Sequence, residues 1–388
     1  MARREPGGLA GRIMTGVAGR PTIPAARFAD RIARAAQATS DRGFDALLVG
    51  VGPDLRYLTG YEALPLERLT MLVLSAATGG PRLVAPRLEL AAARAGVRPD
   101  VPIVTWEETE DPYVVVARLV SDAGRSASRV GVSDRLWASH LLRLEAVLPG
   151  ARFESATAVM RDLRMVKDSD EIELLRLAAH AADRVIAQIA AGRLVGRTEA
   201  DVAREVRERL LAEGHELAEF SIVASGPNSA SPHHEASERV IRAGEPIVLD
   251  IGGTLGGYGS DITRMVWVTG GDPAKGPDPE YLRLYGILQD SQDEATGAVR
   301  PGVPCEQIDA VARGIIETGG YGPQFIHRTG HGIGLEGHEE PYLVAGNSEP
   351  LREGTAFSVE PGIYLEGRYG ARIEDIVVCG PSGPIVLN

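Results

Sequence analysis

Pro246-Ile247-Val248-Leu249-Asp250-Ile251-Gly252-Gly253-Thr254-Leu255-Gly256-Gly257-Tyr258-Gly259-Ser260-Asp261-Ile262-Thr263-Arg264-Met265-Val266-Trp267-Val268 is the stretch on which the fold assignment rests. Alternation puts Ile247, Leu249 and Ile251 on one face and Val248 and Asp250 on the other, as in a strand. Gly252-Gly253 and Gly256-Gly257 supply a flexible turn, and the β-forming run Ser260–Val268 returns. The resulting hairpin sets Asp250 and Asp261 on facing strands. On their own, two aspartates beside a glycine-rich turn read as solvated turn residues.

Two later stretches change that reading. In His327-Arg328-Thr329-Gly330-His331-Gly332-Ile333-Gly334, glycines on both sides of His331 strip away side-chain bulk, so a backbone or a metal can come close. His327, His331 and His338 crowd one short span of a chain with only 8 histidines. Phe357–Gly362 reads as a strand ending at Pro361-Gly362, with Ser358 and Glu360 opposite Phe357 and Val359; Arg372, Glu374 and Ile376 share a face of the next strand. Each piece has a plainer alternative, a structural histidine or a cross-strand ion pair of Glu360 or Glu374 with Arg372 or Arg368. Together, Asp250, Asp261, His331, Glu360 and Glu374 put four carboxylates and an imidazole into apolar or glycine-rich surroundings. Unpaired charge is costly to bury there. Four oxygen donors and one nitrogen suit two divalent ions such as Mn²⁺ better than a thiolate zinc site. Such a pair activates water and holds a carbonyl, which is hydrolytic chemistry.

A length of 388 residues exceeds what a single core serves well, so two domains are expected. A net charge of -12 and a pI near 5.3 disfavour nucleic-acid binding and give no polybasic membrane anchor, which fits a soluble, cytoplasmic protein. Cys305 and Cys379 have no metal or redox spacing and read as reduced, buried thiols. No stretch approaches a membrane span. Arg3-Arg4 precede a mildly apolar segment, but Gly7, Gly8, Gly11, Gly16 and Gly19 break any signal-like core. Residues 1–22 are therefore expected to be a disordered tail, with Met14 an alternative start.

Residues 23–155 carry mixed short helices and strands, including an alanine-rich helix at Ala25–Ser40 and a strand at Ala46–Val49 closed by Gly52-Pro53, and make an α/β domain. Phe153–Leu163 reads as the connection to a second, α+β domain at 160–388. Asp168 with Glu171 is a capping-box start for a helix whose apolar face runs through Ile172, Leu175, Ala179 and Ile186. Thr198 with Asp201 starts another, ended by Gly214, and from Phe220 onward the pattern is mainly β with a helical interruption near 279–318.

The order of the five candidate ligands, with HRTGHGIGLEGHEEPY and GARIED around them, resembles the pita-bread metallopeptidases, in the prolidase and aminopeptidase P branch and nearest its mycobacterial-type Xaa-Pro dipeptidases. The likeness is strong from about Leu163 to Leu387; Asp54–Gly60 carries it, less specifically, into the N-terminal part. It implies a C-terminal pita-bread fold of two pseudo-symmetric α+β halves behind a smaller N-terminal α/β domain. It implies Asp250 on a first metal, Asp261 and Glu374 bridging, and His331 and Glu360 on a second. It places His233, in Ser225-Gly226-Pro227-Asn228…Pro232-His233-His234, and His338 on either side of the scissile bond, Arg372 behind a bridging carboxylate and His327 in the pocket; His234 stays structural. The expected reaction is attack by a metal-bridging hydroxide on the carbonyl before proline, with Glu360 as base and then acid. Mn²⁺ is the expected ion, with Co²⁺ or Zn²⁺ as substitutes, and the expected partners are a small peptide with proline second and a second copy of the chain. The alternatives are an aminopeptidase P acting on longer peptides and a non-catalytic pita-bread binding module. Two departures from the pattern stand out. The chain stops soon after its last motif, which leaves the closing edge of the fold uncertain, and Gly259 precedes Ser260-Asp261 where bulkier residues are usual, which would widen the site.

Overall fold

The computed structural model describes residues 21–75, 77, 79–121 and 127–388; the expected tail and Met14 lie almost wholly outside them. The N-terminal layer is a six-stranded mixed sheet built from β1 (Ala46–Gly50), β2 (Met71–Ser75), β3 (Arg82–Pro86), β4 (Ile103–Trp106), β5 (Arg129–Val132) and β6 (Arg152–Ser155), in the order β4-β3-β2-β1-β5-β6. β1 is buried along its whole length. Its Leu47 and Val49 enter the core under α1 (Ala25–Asp41), α2 (Pro53–Thr59), α3 (Leu90–Gly96) and α6 (Thr157–Arg164), while Ala46 and Leu48 face the core under α4 (Pro112–Leu119) and α5 (Ala138–Val147). A continuous apolar run is what a strand covered on both faces requires.

Phe153–Leu163, expected as the connection, is folded into this layer. β6 pairs with β5, and Val159, Met160 and Leu163 of α6 pack into the core beneath α1. The chain crosses at Met165–Asp168, where Val166 bridges Thr355 and Lys167 N–H donates to the Gly354 carbonyl at 2.9 Å.

Beyond the crossing, α7 (Ser169–Ala190) starts on the capping box of Asp168 and Glu171, and α8 (Glu199–Ala212) on Thr198. Both back an antiparallel sheet of β7 (Leu217–Ser225), β8 (Glu245–Leu255) and β9 (Tyr258–Val268) through Ile247, Leu249, Ile251 and Ile262. The second half repeats the theme. α9 (Pro279–Gly297) and α10 (Cys305–Thr318) pack on β10 (Gly330–Gly332), β11 (Glu339–Leu343), β12 (Ala356–Val359), β15 (Asp375–Cys379) and β16 (Pro384–Val386), with β13 (Gly362–Leu365) and β14 (Tyr369–Arg372) as a separate hairpin. Cys305 and Cys379 are buried and free. Among the described residues, no helix is long and apolar enough to cross a membrane.

The expected closing edge is tied down: Leu387 is buried, and Asn388 donates from Nδ2 to the Asp261 carbonyl at 3.1 Å and accepts from Ile376 N–H at 2.7 Å. These bonds join β9 to β15, one strand from each half.

The domain seam is ionic. Arg31 of α1 is 1% exposed and lies 3.1 Å from Asp168 and 3.2 Å from Glu171, with its guanidinium 4.2 Å from the Tyr57 ring centre. Tyr258, at the end of the β8–β9 turn, donates its hydroxyl to Glu171 at 2.9 Å. Arg31→Met would leave Glu171 buried without its ion-pair partner, and removing one partner of a buried pair costs about 3–5 kcal/mol. A fall of that size in urea-unfolding free energy is the expected result.

Candidate metal centre and substrate cavity

Gly256 and Gly257, with φ of 64° and 83°, form the two-residue turn between β8 and β9. Positive φ at both positions is what such a hairpin needs. Gly252 and Gly253, expected in that turn, instead lie within β8 opposite Asp261 and Ser260. A Cβ at Gly252 would overlap the Ser260 carbonyl and the Phe220 ring, so glycine is there for closeness and not for flexibility. Asp250 pairs with Thr263 and Gly252 with Asp261, which sets the two aspartates diagonally on one face of the ladder.

β10 is squeezed in the same way. A Cβ on Gly330 would overlap the Ser358 carbonyl oxygen, and one on Gly332 that of Glu340. His331 N–H donates to Ser358 Oγ at 3.0 Å, and Ser358 Oγ to Glu360 Oε1 at 3.2 Å. His331 Nδ1 lies 3.1 Å from the Gly332 carbonyl, which can only accept. The ring proton is therefore on Nδ1, and Nε2 turns its lone pair toward Glu360 Oε1 at 3.2 Å and Asp261 Oδ2 at 3.7 Å.

Glu374 was expected in one strand with Arg372 and Ile376, but the chain breaks there. Arg372 ends β14, Asp375 starts β15, and Glu374 between them bridges to Thr263 of β9. Thr263 explains the switch: its carbonyl accepts Glu374 N–H at 3.2 Å and its hydroxyl donates to Glu374 Oε2 at 2.6 Å. Arg264 fixes the next link by donating to the Glu374 carbonyl at 2.5 Å.

Four carboxylates thus converge, and among the described residues Arg372 is the one arginine in ion-pair contact with them. Its Nη2 pairs with Asp250 Oδ2, its Nε lies 4.0 Å from Glu360 Oε2, and it reaches Glu374 only through the Thr263 hydroxyl, at 3.0 Å. Burial, then the neighbouring carboxylates, drives the Asp261 and Glu374 pKa well above the usual range. Burial pushes Glu360 up to about 7 against the pull of Arg372, and takes His331 down to about 3. Asp250 Oδ1 is buried with no hydrogen-bond partner. The donor atoms fall into sets within 4.8 Å of one another: Asp250, Asp261 and Glu374; His331, Glu360 and Glu374; and Asp261, His331 and His338. An orphaned buried oxygen and oxygen-rich sets sharing Glu374 and Asp261 fit adjacent divalent cations.

The cluster lines a cavity of about 730 Å³ together with the apolar side chains of Phe220, Ile222 and Ile326. His233 and His338 both line it, and the His338 ring lies 3.8 Å from that of His331, centre to centre. His327 also lines it, but both of its nitrogens are engaged. Nδ1 meets the Arg328 carbonyl at 2.7 Å, and Nε2 the Tyr364 hydroxyl at 2.9 Å. Arg372 donates to that same hydroxyl at 2.9 Å, so the direction runs Arg372 to Tyr364 to His327. Burial holds His327 down to about 4. Gly259 does not widen this cavity: its missing Cβ faces Ile333, and its N–H bonds the Gly334 carbonyl at 2.8 Å.

Two buried acids escaped the sequence reading. Asp309 of α10 accepts from Thr329 N–H at 3.1 Å and Thr329 Oγ1 at 2.7 Å, anchoring the chain two residues before His331. Glu199, the first residue of α8, is 0% exposed and gathers the segment that carries His233; His234, expected to be structural, donates to it from Nε2 at 2.9 Å. The one local signal for Glu199 was an acid in a helix's first turn, which usually concerns only the helix.

Residues 173–381 match metallopeptidase family M24, and residues 31–166 the creatinase/prolidase N-terminal domain. The chain belongs to metallopeptidase family M24. Among its M24 relatives is a Mycobacterium tuberculosis protein named "Probable dipeptidase PepE", 47% identical over 93% of this chain and 94% of that protein. The solved dipeptidase PepE from Mycobacterium ulcerans superposes with a TM-score of 0.86 at 46% identity, covering 95% of this chain and 97% of that one. A prolidase from Thermococcus sibiricus gives 0.85 at 36% identity, with 93% and 96% covered. The protein is an M24 enzyme with the pita-bread fold; the family implies divalent metal ions, and the carboxylate cluster is a group of side chains that could hold them.

Burial alone would raise the Glu199 pKa, but hydrogen bonds from Ser237, Ser225 and His234 outweigh it and hold the carboxylate down to about 2, from an ordinary 4.5. A depressed folded-state pKa contributes stability that is complete above about pH 4.5 and is lost as pH falls toward 2. The stability gap between wild type and Glu199→Gln, followed by urea unfolding from pH 6 downward, is therefore expected to narrow across that window.

Proposed function

We propose that this protein is a Xaa-Pro dipeptidase working with two divalent metal ions. The observation that carries the reading is the pair of donor sets sharing Glu374 in a cavity also lined by His233, His338 and Arg328, an arginine without an ion-pair partner among the described residues. The oxygen-rich donors favour Mn²⁺, with Co²⁺ and Zn²⁺ as substitutes. Bound there, the ions supply an acidified water and an electrophilic hold on the scissile carbonyl.

The chain's own groups do the rest. Ser358 fixes Glu360 through Oε1, leaving Oε2 to take a proton from water and return it to the proline nitrogen. Arg372 pairs with Asp250 through Oδ2 and aims it. His233 and His338 flank the carbonyl and steady the oxygen on which charge develops. Phe220, Ile222 and Ile326 offer an apolar wall for the residue before proline.

The choice between dipeptides and longer peptides rests on Arg328. Its guanidinium stacks 4.1 Å from the Tyr342 ring centre, lies 3.4 Å from His338 Nδ1 and has no ion-pair partner among the described residues. An arginine stacked in this way beside a cavity is suited to a carboxylate, and a dipeptide presents one directly behind its proline. The relatives named dipeptidase and prolidase support the same choice.

A panel of Xaa-Pro dipeptides, Xaa-Pro tripeptides and Xaa-Ala controls, assayed across Mn²⁺, Co²⁺ and Zn²⁺, tests the reading. Fastest turnover of dipeptides with Mn²⁺ is expected. Faster turnover of tripeptides would make it an aminopeptidase P, and no hydrolysis with any ion would leave a binding module. Arg328→Met is expected to lower kcat/KM for a Xaa-Pro dipeptide by about 10- to 100-fold, the worth of a charge-assisted bond, and to leave the Xaa-Pro amide within about twofold. Equal losses on both substrates would remove Arg328 from carboxylate recognition.

A further inference from the structure

We infer that Glu199, which lines no part of the cavity, is the positioning residue for His233. The inference rests on the reading of His233 as a group that faces the substrate. His233 lies on a segment without regular ladder pairing between β7 and β8. Something other than a sheet must therefore hold it.

Glu199 is placed to do so from both sides. Before His233, its Oε1 accepts from Ser225 N–H and Ser225 Oγ, each at 2.7 Å, and from Asn228 Nδ2 at 3.1 Å. After His233, its Oε2 accepts from His234 Nε2 at 2.9 Å, from Ser237 Oγ at 2.7 Å and from Ser237 N–H at 3.2 Å. A single buried carboxylate thus closes the loop 225–237 into a ring around itself. The far side of the loop is tied to the metal cluster, with Pro232 O 3.4 Å from Arg372 Nη1 and Ser229 Oγ accepting Gly370 N–H at 2.9 Å. His233 follows directly after Pro232, so it is suspended between an anion behind it and Arg372 in front.

An anion is the required chemistry. Every partner of Glu199 is a donor, and a buried carboxylate persists only where donors replace its water. Glutamine has the same shape but presents an NH₂ group to one set of those donors, which would release one end of the loop. The loss should therefore appear in the placement of His233 and not in the metal cluster, because Glu199 touches none of the five candidate ligands.

The test is a double-mutant cycle on the Mn²⁺-loaded full chain with a Xaa-Pro dipeptide. Glu199→Gln is expected to lower kcat/KM by about 10- to 100-fold, the usual range for displaced supporting groups, with metal content unchanged. In the His233→Ala background, the same substitution is expected to change kcat/KM by less than about twofold, because nothing remains to be positioned. Should Glu199→Gln fail to fold, Ser237→Ala removes one hydroxyl donor and is expected to give the same non-additive pattern with a smaller amplitude. Losses that multiply, or wild-type kcat/KM in Glu199→Gln, would overturn the inference. If the wild-type enzyme is inert toward all Xaa-Pro peptides, the dipeptidase reading falls by itself, and the His233 ring resonances in NMR decide about Glu199. Shifted or broadened signals in Glu199→Gln support it, and signals identical to wild type overturn it.

Discussion

Four carboxylates and one arginine gathered in largely buried space form the constraint that organises this molecule. Asp250, Asp261 and Glu374 are buried and Glu360 is nearly so, while Arg372 neutralises only part of their charge. Coulomb repulsion among such groups, at reduced dielectric and with hydration removed, opposes the fold unless cations or protons intervene. The upward pKa shifts of Asp261 and Glu374 express the proton route in the metal-free chain. Divalent cations, which the M24 family implies, are the other route.

Much of the surrounding architecture serves to hold that charge in place. The bare backbone at Gly252, Gly330 and Gly332 lets neighbouring strands within each half approach closer than any side chain would permit. Hydroxyls then set the orientation: Thr263 links Arg372 to Glu374, and Ser358 links His331 to Glu360. Each has a donor and an acceptor to offer, so one small residue can steady two charged ones. The directed sequence from Arg372 through Tyr364 to His327 belongs to the same scheme and takes His327 away from direct contact chemistry.

The N-terminal layer contributes at the rear of the β8–β9 hairpin. Tyr258 closes the β8–β9 turn and bonds Glu171, which Arg31 of the first domain neutralises. Arg56 of α2 packs where a Cβ on Gly257 would stand. The hairpin bearing two of the candidate ligands is therefore braced by the other domain, a reason for the two to be joined through a buried ionic seam rather than a loose linker.

The chain's local chemistry determined a good deal unaided. The β8–β9 hairpin and the capped starts of α7 and α8 could be read from periodicity and capping residues, because those signals act over a few positions; two domains were expected from length, and the five candidate ligands were singled out by residue type and surroundings. What only tertiary structure decided is how distant segments share space. Gly252 reads as turn chemistry until Phe220 is seen occupying its side-chain volume. Glu374 reads as a strand residue until Thr263 draws it across to β9. Glu199 and Asp309 read as ordinary helix acids until the loops they hold fold around them. In each case the deciding partner is 20 or more residues away, and a buried polar group takes its meaning from the donor or acceptor it meets, which no short window of sequence contains.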